Sequence, residues 1–373
     1  MPEQRRALRI AMLAPPWLPT PPPGYGGIEH VVALLCDGLV RRGHYVTLFA
    51  APGSASAATV HPVLPSCYPD RIERALHEVD HVARVFDAVD QAAITDTPFD
   101  LIHDHCGFTA FAMANRITTP VIHTLHGPFT PDTRDFYRQH AGKAPAIAIS
   151  ASQRAAAPAN LHITAVIPNP IDVASWQTGL VKGDYVLWVG RMTAEKGPHR
   201  AIAAARAGGV PLILAGPIQP GQEHFYREHV EPHVNGSTVR YIGEVGGDTK
   251  QRLFAHARAL LMPIRWAEPF GMVMIEALAC GTPVIAFPEG AAPEVVDDGV
   301  TGFLVENEAQ MAVAISQLRA LNPADCRRAA LNRYDISLVA EAHEGAYTKS
   351  LSTPRIGPAR LSHVASTAAP LVS

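Results

Sequence analysis

Short unbroken apolar runs recur along the chain, separated by segments whose apolar residues fall three and four positions apart. Ile10 to Ala14 is the first run, and it stops at Pro15-Pro16. A strand covered on both faces of a parallel sheet loses the apolar–polar alternation of a half-exposed one, so a buried strand is expected here. A proline-rich loop ending Gly24-Tyr25-Gly26-Gly27 follows. Then Ile28, Val31, Val32, Leu35 and Leu39 lie at helical spacing, closed by Arg41-Arg42-Gly43. Tyr45 to Ala50 is the next strand, and Arg71 to Ile94 carries helical patterning with a solvated charged face. Strands around Asp100–His105 and Thr119–Thr124 run into loops, with His105 and His126 at their ends; Ala146–Ser150 and His162–Ile167 complete a first set.

Pro168-Asn169-Pro170-Ile171-Asp172 interrupts regular structure, because neither proline can continue a helix or donate to a ladder. A linker is expected over about 173 to 183, with Gly179 and Gly183. The pattern then restarts: Tyr185–Val189, Val210–Ala215, Val239–Ile242, Leu260–Ile264, Val284–Phe287 and Phe303–Val305 are strand-like, with helical segments such as Pro198–Ala207 between them. Strands alternating with helices imply an α/β protein with two doubly wound parallel sheets. The expected division is 1–172 and 173–334, then a helix over about 335–351 and a mobile tail over 352–373, rich in Pro, Ser and Ala.

Composition narrows the class. With 373 residues the chain can build two cores, and 47% hydrophobic against 17% charged residues excludes a disordered protein. A net charge of −3 offers no field for nucleic acid. The 5 cysteines are scattered without C-x-x-C spacing, which fits reduced thiols and a cytoplasmic protein. Arg5, Arg6 and Arg9 precede an apolar run too short for a signal peptide, and no run approaches a membrane span. The chain is therefore expected to be soluble, or at most peripheral to a membrane.

The chemistry concentrates in Arg265-Trp266-Ala267-Glu268-Pro269-Phe270-Gly271-Met272-Val273-Met274-Ile275-Glu276-Ala277-Leu278-Ala279-Cys280-Gly281-Thr282-Pro283. Pro269 is tolerated in the first turn of a helix and Gly281 ends one, so a helix is expected from about Pro269, with Glu276 two turns in. Glu276 sits among Val273, Met274, Ile275, Ala277 and Leu278, and a buried acid needs a partner. The unpaired N–H groups of the first turn, between Glu268 and Glu276, form an anion site. Gly190-Arg191-Met192-Thr193-Ala194-Glu195-Lys196-Gly197 places Arg191 and Lys196 on a loop at a strand end, a pairing of fork and point charge suited to a diphosphate or to no specific task. Gly24 to Gly27 lack the G-x-G-x-x-G spacing of a dinucleotide fingerprint. His103, His105, His123 and His126 read either as hydrogen-bonded strand-end residues or as metal ligands, but no recognisable metallohydrolase motif is completed.

The Glu268-x7-Glu276 spacing with its flanks, together with Gly190-Arg191, Glu195-Lys196-Gly197, Pro293-Glu294-Val295-Val296 and Gly299-Val300-Thr301-Gly302-Phe303-Leu304-Val305, resembles retaining glycosyltransferases of family 4. The resemblance extends over nearly the whole chain. It implies the GT-B fold, two facing Rossmann-like domains with a cleft between them, and a terminal helix over about 335–351 crossing back to the first domain. It implies transfer of a sugar from a UDP- or GDP-sugar donor to an unidentified acceptor hydroxyl (glycan, lipid or small molecule) with retention of configuration. The resemblance assigns Arg191, Lys196, Glu268 and His126 to catalysis, and Gly26, Gly27, Gly190, Pro269, Phe270, Gly271, Met272 and Glu276 to the donor. His105 and Asn169, the latter in the Asn-Pro-Ile-Asp turn between the domains, are further candidates. No cofactor and no divalent metal is expected, because the cations and the helix end take a metal's place. An epimerase or hydrolase of sugar nucleotides with the same architecture, or a binding protein without chemistry, are the alternatives.

Overall fold

The computed structural model describes residues 6–24, 26–72, 74–179 and 181–352. Tyr25 of the glycine loop and residues 353–373 of the tail expected over 352–373 lie outside them, while Ser352 ends the last helix. The first domain carries β1 (Arg9–Leu13), β2 (Tyr45–Phe49), β3 (Thr59–His61), β4 (Leu101–Asp104), β5 (Val121–Thr124), β6 (Ala146–Ala148) and β7 (Ile163–Val166). All pair in parallel in the order β3-β2-β1-β4-β5-β6-β7. The second carries β8 (Val186–Val189), β9 (Leu212–Ala215), β10 (Val239–Tyr241), β11 (Leu260–Met262), β12 (Val284–Ala286) and β13 (Gly302–Leu304), parallel in the order β10-β9-β8-β11-β12-β13. Both sheets are thus doubly wound, as the alternating pattern implies. β3 is an edge strand the apolar pattern does not show: its three residues are exposed or half-buried, so it carries no apolar run.

The order of each sheet reverses once, between β1 and β4 and between β8 and β11. Loops leaving the two strands at such a reversal diverge to opposite faces and open a crevice beyond the carboxyl ends. The first crevice receives the loop after β1, ending in Gly26 and Gly27, and His105 after β4; the second receives Gly190 and Arg191 after β8 and Glu268 after β11.

Helix Ile336–Ser352 packs against helix Gly27–Arg41 of the first domain. The approach is close because Gly38 has no side chain; a Cβ there would stand 2.8 Å from Ile336 Cγ1. Val339, Ala340, Ala346 and Tyr347 join the core under β1 and β2, and Arg42 closes the contact with a 2.5 Å ion pair to Glu344. Between the domains, Ile149, Ile171 and Val173 share a core with Met274, Ile275 and Ala330. Glu294 accepts the backbone N–H groups of Ala151 and Ser152, both at 2.7 Å, across the same boundary. Pro323–Tyr334 lies against helix Met272–Ala279, and Arg327 on it donates to the carbonyls of Val173, Trp176 and Ala279.

Candidate active site

The helix at the site begins at Met272, three residues later than the proline reading places it. Pro269 and Phe270 stay in the loop because Gly271 takes a left-handed conformation (φ 86°), which reverses the chain just ahead of the helix. Glu276 is therefore about one turn inside the helix rather than two, which brings its carboxylate nearer the N-terminal N–H groups. Gly290 (φ 55°) presses on the same loop from beneath: a Cβ there would meet the Glu268 carbonyl oxygen at 2.3 Å. Ala291 N–H donates to that carbonyl at 2.9 Å, so the backbone of Glu268 is anchored on both sides.

Three adjoining cavities gather the residues. The first is lined by Gly190, Arg191, Lys196, Glu268, Gly271 and Met272. The second is bounded by Gly26 and Gly27 on one domain and by Gly190, Lys250 and Glu276 on the other. The third, of about 420 Å³, reaches from Gly26 and Gly27 to His126, Asn169, Glu268, Pro269, Phe270 and Gly271. His105 is the exception. It is buried at 2% exposure behind His126 and holds that ring from the rear, Nδ1 to Nε2, at 2.8 Å.

The charges are organised in pairs. Lys196 Nζ donates to Glu268 Oε2, which also accepts the Trp266 indole N–H at 3.0 Å, and the ammonium stands 4.4 Å over that indole. Arg191 bonds Gln219 at 3.2 Å and Glu195 at 3.3 Å, while its buried Nε has no partner. Glu276 is 8% exposed; its Oε1 accepts from Lys250 Nζ at 2.7 Å and its buried Oε2 has no partner among the described residues. A buried acceptor left unpaired costs about 1–3 kcal/mol, more when charged, and such a cost is offset when a ligand hydroxyl fills it. One unpaired donor and one unpaired acceptor thus stand in neighbouring cavities that share Gly190.

His103 joins Tyr347 at 2.7 Å, Thr124 at 2.7 Å and His105 at 3.3 Å, which extends the chain from His126 into the core. Burial lowers the basicity of these rings, helped by their mutual repulsion: His103 and His105 lie well below 6.5 and His126 is pushed down to about 3. His126 therefore meets a ligand as a neutral imidazole. His123 is occupied elsewhere, between Asp104 at 2.6 Å and Tyr137 at 3.0 Å. Among the described residues, no group of three His, Cys, Asp or Glu side chains is disposed to hold a metal ion.

Lys250, Trp266 and Tyr347 escaped the sequence reading. Lys250 and Tyr347 sit on helices remote in sequence from the groups they bond, with no local motif; Trp266 stands two residues from Glu268 and its spacing alone could have marked it.

Two doubly wound domains that meet at a cleft of paired charges define a GT-B protein. The chain matches two family models, "Glycosyltransferase Family 4" over residues 25–175 and "Glycosyl transferases group 1" over residues 172–333. It is 25% identical to a D-inositol 3-phosphate glycosyltransferase of Mycolicibacterium smegmatis, covering 93% of this chain and 92% of that one. Among solved structures it resembles AviGT4, a glycosyltransferase of avilamycin A biosynthesis (28% identity, TM-score 0.72, covering 93% and 99%). It also shares its fold with the Anabaena protein HepE (22%, TM-score 0.69, covering 91% and 99%). The chain belongs to the family 4 glycosyltransferases.

Proposed function

We propose that the protein transfers a sugar from a nucleotide-sugar donor to an acceptor hydroxyl, with retention of configuration and without a divalent metal. The observation that carries the donor assignment is Glu276 Oε2, a buried carboxylate oxygen with no partner, facing a cavity walled by Gly26, Gly27 and Gly190. A carboxylate is acceptor-only, so its counterpart is a hydroxyl, and the vicinal diol of a ribose fits. The diphosphate then meets Arg191, Lys196 and the N–H groups at Met272 and Val273, where the free Arg191 Nε gains an acceptor. His126, held neutral from behind by His105, and Glu268 would bind the transferred sugar from opposite domains, with Pro269, Phe270 and Asn169 shaping the same cavity.

Departure of the nucleoside diphosphate leaves negative charge on the leaving oxygen. Fixed cations aimed there stabilise the transition state more than the ground state. HepE has been solved with UDP and glucose, and with UDP-glucose, which favours uridine over guanosine as the base. The mycobacterial relatives are named for a phosphorylated acceptor, and at 25% identity that acceptor is not carried over to this chain.

The deciding experiment is thermal denaturation with nucleoside diphosphates, since a ligand of the folded state alone raises the midpoint. The midpoint should rise with UDP. Glu276→Gln should weaken UDP binding by about ten- to a hundredfold, the cost of losing a hydrogen bond to a charged group; unaltered affinity would remove Glu276 from the site. Separately, transfer should persist at full rate after EDTA treatment. A loss restored by Mg²⁺ or Mn²⁺ would refute the metal-free reading.

A further inference from the structure

We infer that the first-domain part of the 420 Å³ cavity, beyond the His126 and Glu268 end given to the transferred sugar, takes an acceptor that offers both apolar surface and hydroxyls and is free of phosphate or carboxylate groups. This rests on the glycosyltransferase reading above and specifies the second substrate of that site.

Charge is the first ground. The titratable side chains lining the cavity include Glu29, Glu78 and Glu268, while no Lys or Arg lines it among the described residues. His126 also lines it, and burial pushes its pKa down to about 3, so it brings no cation to the cavity. Arg71 stands beside the wall residue Ile72, but its guanidinium lies over the Tyr68 ring at 5.6 Å and against His77 at 3.1 Å. Lys196 faces the neighbouring cavity and is bonded to Glu268. Glu268 is paired with Lys196 and burial holds Glu29 toward its neutral form, so an anionic acceptor meets the Glu78 carboxylate with no Lys or Arg on the described lining to offset it, and like-charge juxtaposition is an effective way of rejecting a partner.

Unused hydrogen-bonding capacity is the second. Glu29, 6% exposed in the first turn of helix Gly27–Arg41, is bonded by its own backbone N–H, and no other side chain among the described residues bonds it. Burial raises its pKa, so it is costly to ionise where it stands and is relieved by a donor hydroxyl. Glu78 accepts the Thr109 N–H at 2.8 Å, which fixes it beside Gly107 and Phe108 with acceptor capacity to spare.

Apolar surface is the third. Ile72 and Phe108 remain 50% and 43% exposed, and with Trp17 they contribute apolar surface to the lining of the same cavity. Sites for small molecules combine such surface with a few convergent polar groups. The combination matches an amphipathic neutral glycoside or alcohol: its apolar body on Trp17, Ile72 and Phe108, its hydroxyls on Glu29 and Glu78.

The test uses a matched pair, 4-nitrophenyl glucoside and its 6-phosphate, and a second pair built on octyl glucoside, each offered to the full chain with nucleotide-sugar donor. Transfer to the neutral member should exceed that to the phosphate by at least about tenfold in kcat/KM, and Glu78→Lys should narrow the ratio by raising the phosphorylated rate. Phe108→Ala should raise KM for the octyl and nitrophenyl acceptors while leaving kcat and donor affinity alone. Preference for the phosphates, equal use of both, or transfer to neither would overturn the inference. UDP binding and slow acceptor-free hydrolysis of donor are followed in the same samples. If those are absent too, the glycosyltransferase reading fails; if they are present, the failure belongs to the acceptor assignment alone.

Discussion

Lys196→Ala should lower turnover by about 10²- to 10³-fold, the range found when one preorganised charge is removed from a developing oxyanion. Lys196 shares the first cavity with Arg191 and with the N-terminus of helix Met272–Ala279, so its ammonium is one of the cations available to a departing diphosphate. The structure adds a complication that the loop sequence hides. Lys196 is bonded to Glu268, and its side chain and that of Glu268 are only 18% and 12% exposed. Alanine leaves Glu268 with the indole N–H of Trp266 as its remaining donor, so some loss of stability accompanies the loss of rate. Lys196→Met also removes the ammonium from Glu268 but retains the aliphatic stem over the indole, so it separates the loss of charge from the loss of packing. Both variants should show the fall in kcat, and only the alanine should also lose packing against Trp266. If Lys196→Met kept wild-type turnover with donor saturating, the ammonium would have no part in leaving-group stabilisation.

Acid should unfold the protein before most of its carboxylates are protonated. Four buried histidines have folded pKa values below their ordinary 6.5 because burial disfavours the imidazolium: His81 and His343 at about 4, His103 and His105 lower still. In the unfolded chain each binds a proton near 6.5, which the folded state refuses. Their contribution is therefore complete above 6.5 and is lost as pH falls toward the folded values. Each group changes stability by at most about 1.4 kcal/mol per pH unit, so the four together give a ceiling of about 5.6 kcal/mol per unit. Glu29 acts oppositely, since burial raises its pKa and its contribution is present below about 4.5 and fades as pH rises; one group does not offset four. Against a typical stability of about 5–15 kcal/mol, the fold should be lost near about pH 5. Urea midpoints at pH 7.5, 6.0 and 5.0 measure this directly. A midpoint unchanged across that range would mean that these rings are not held neutral.

Both sheets were legible because a strand buried on two faces must be apolar throughout, and Ile10–Ala14, Val186–Val189 and Leu260–Met262 obey that rule without reference to any neighbour. β3 was not, since an exposed edge strand of three residues is held by its ladder to β2 and needs no apolar run. The onset of the helix at Met272 was misread for a related reason. Proline permits a helix start at 269 but does not compel one, and the chain instead turns through a left-handed Gly271, a conformation open to a residue without a Cβ, before the helix begins.

Glu276, Arg191 and Lys196 stood out as candidates through local chemistry: an acid in an apolar helix, and cations on a glycine-bounded loop at a strand end. Their partners did not. Glu276 meets Lys250 from a different helix, Lys196 meets Glu268 across 72 positions, and His103 meets Tyr347 across 244. Which residues are apolar, and at what period, is written in the order of the chain, because burial selects side chains position by position. Which acid is left with an unfilled oxygen and which imidazole is kept neutral depends on groups that only close packing brings within 3 Å. A hydrogen bond of that length carries no signature in the spacing of the residues that make it.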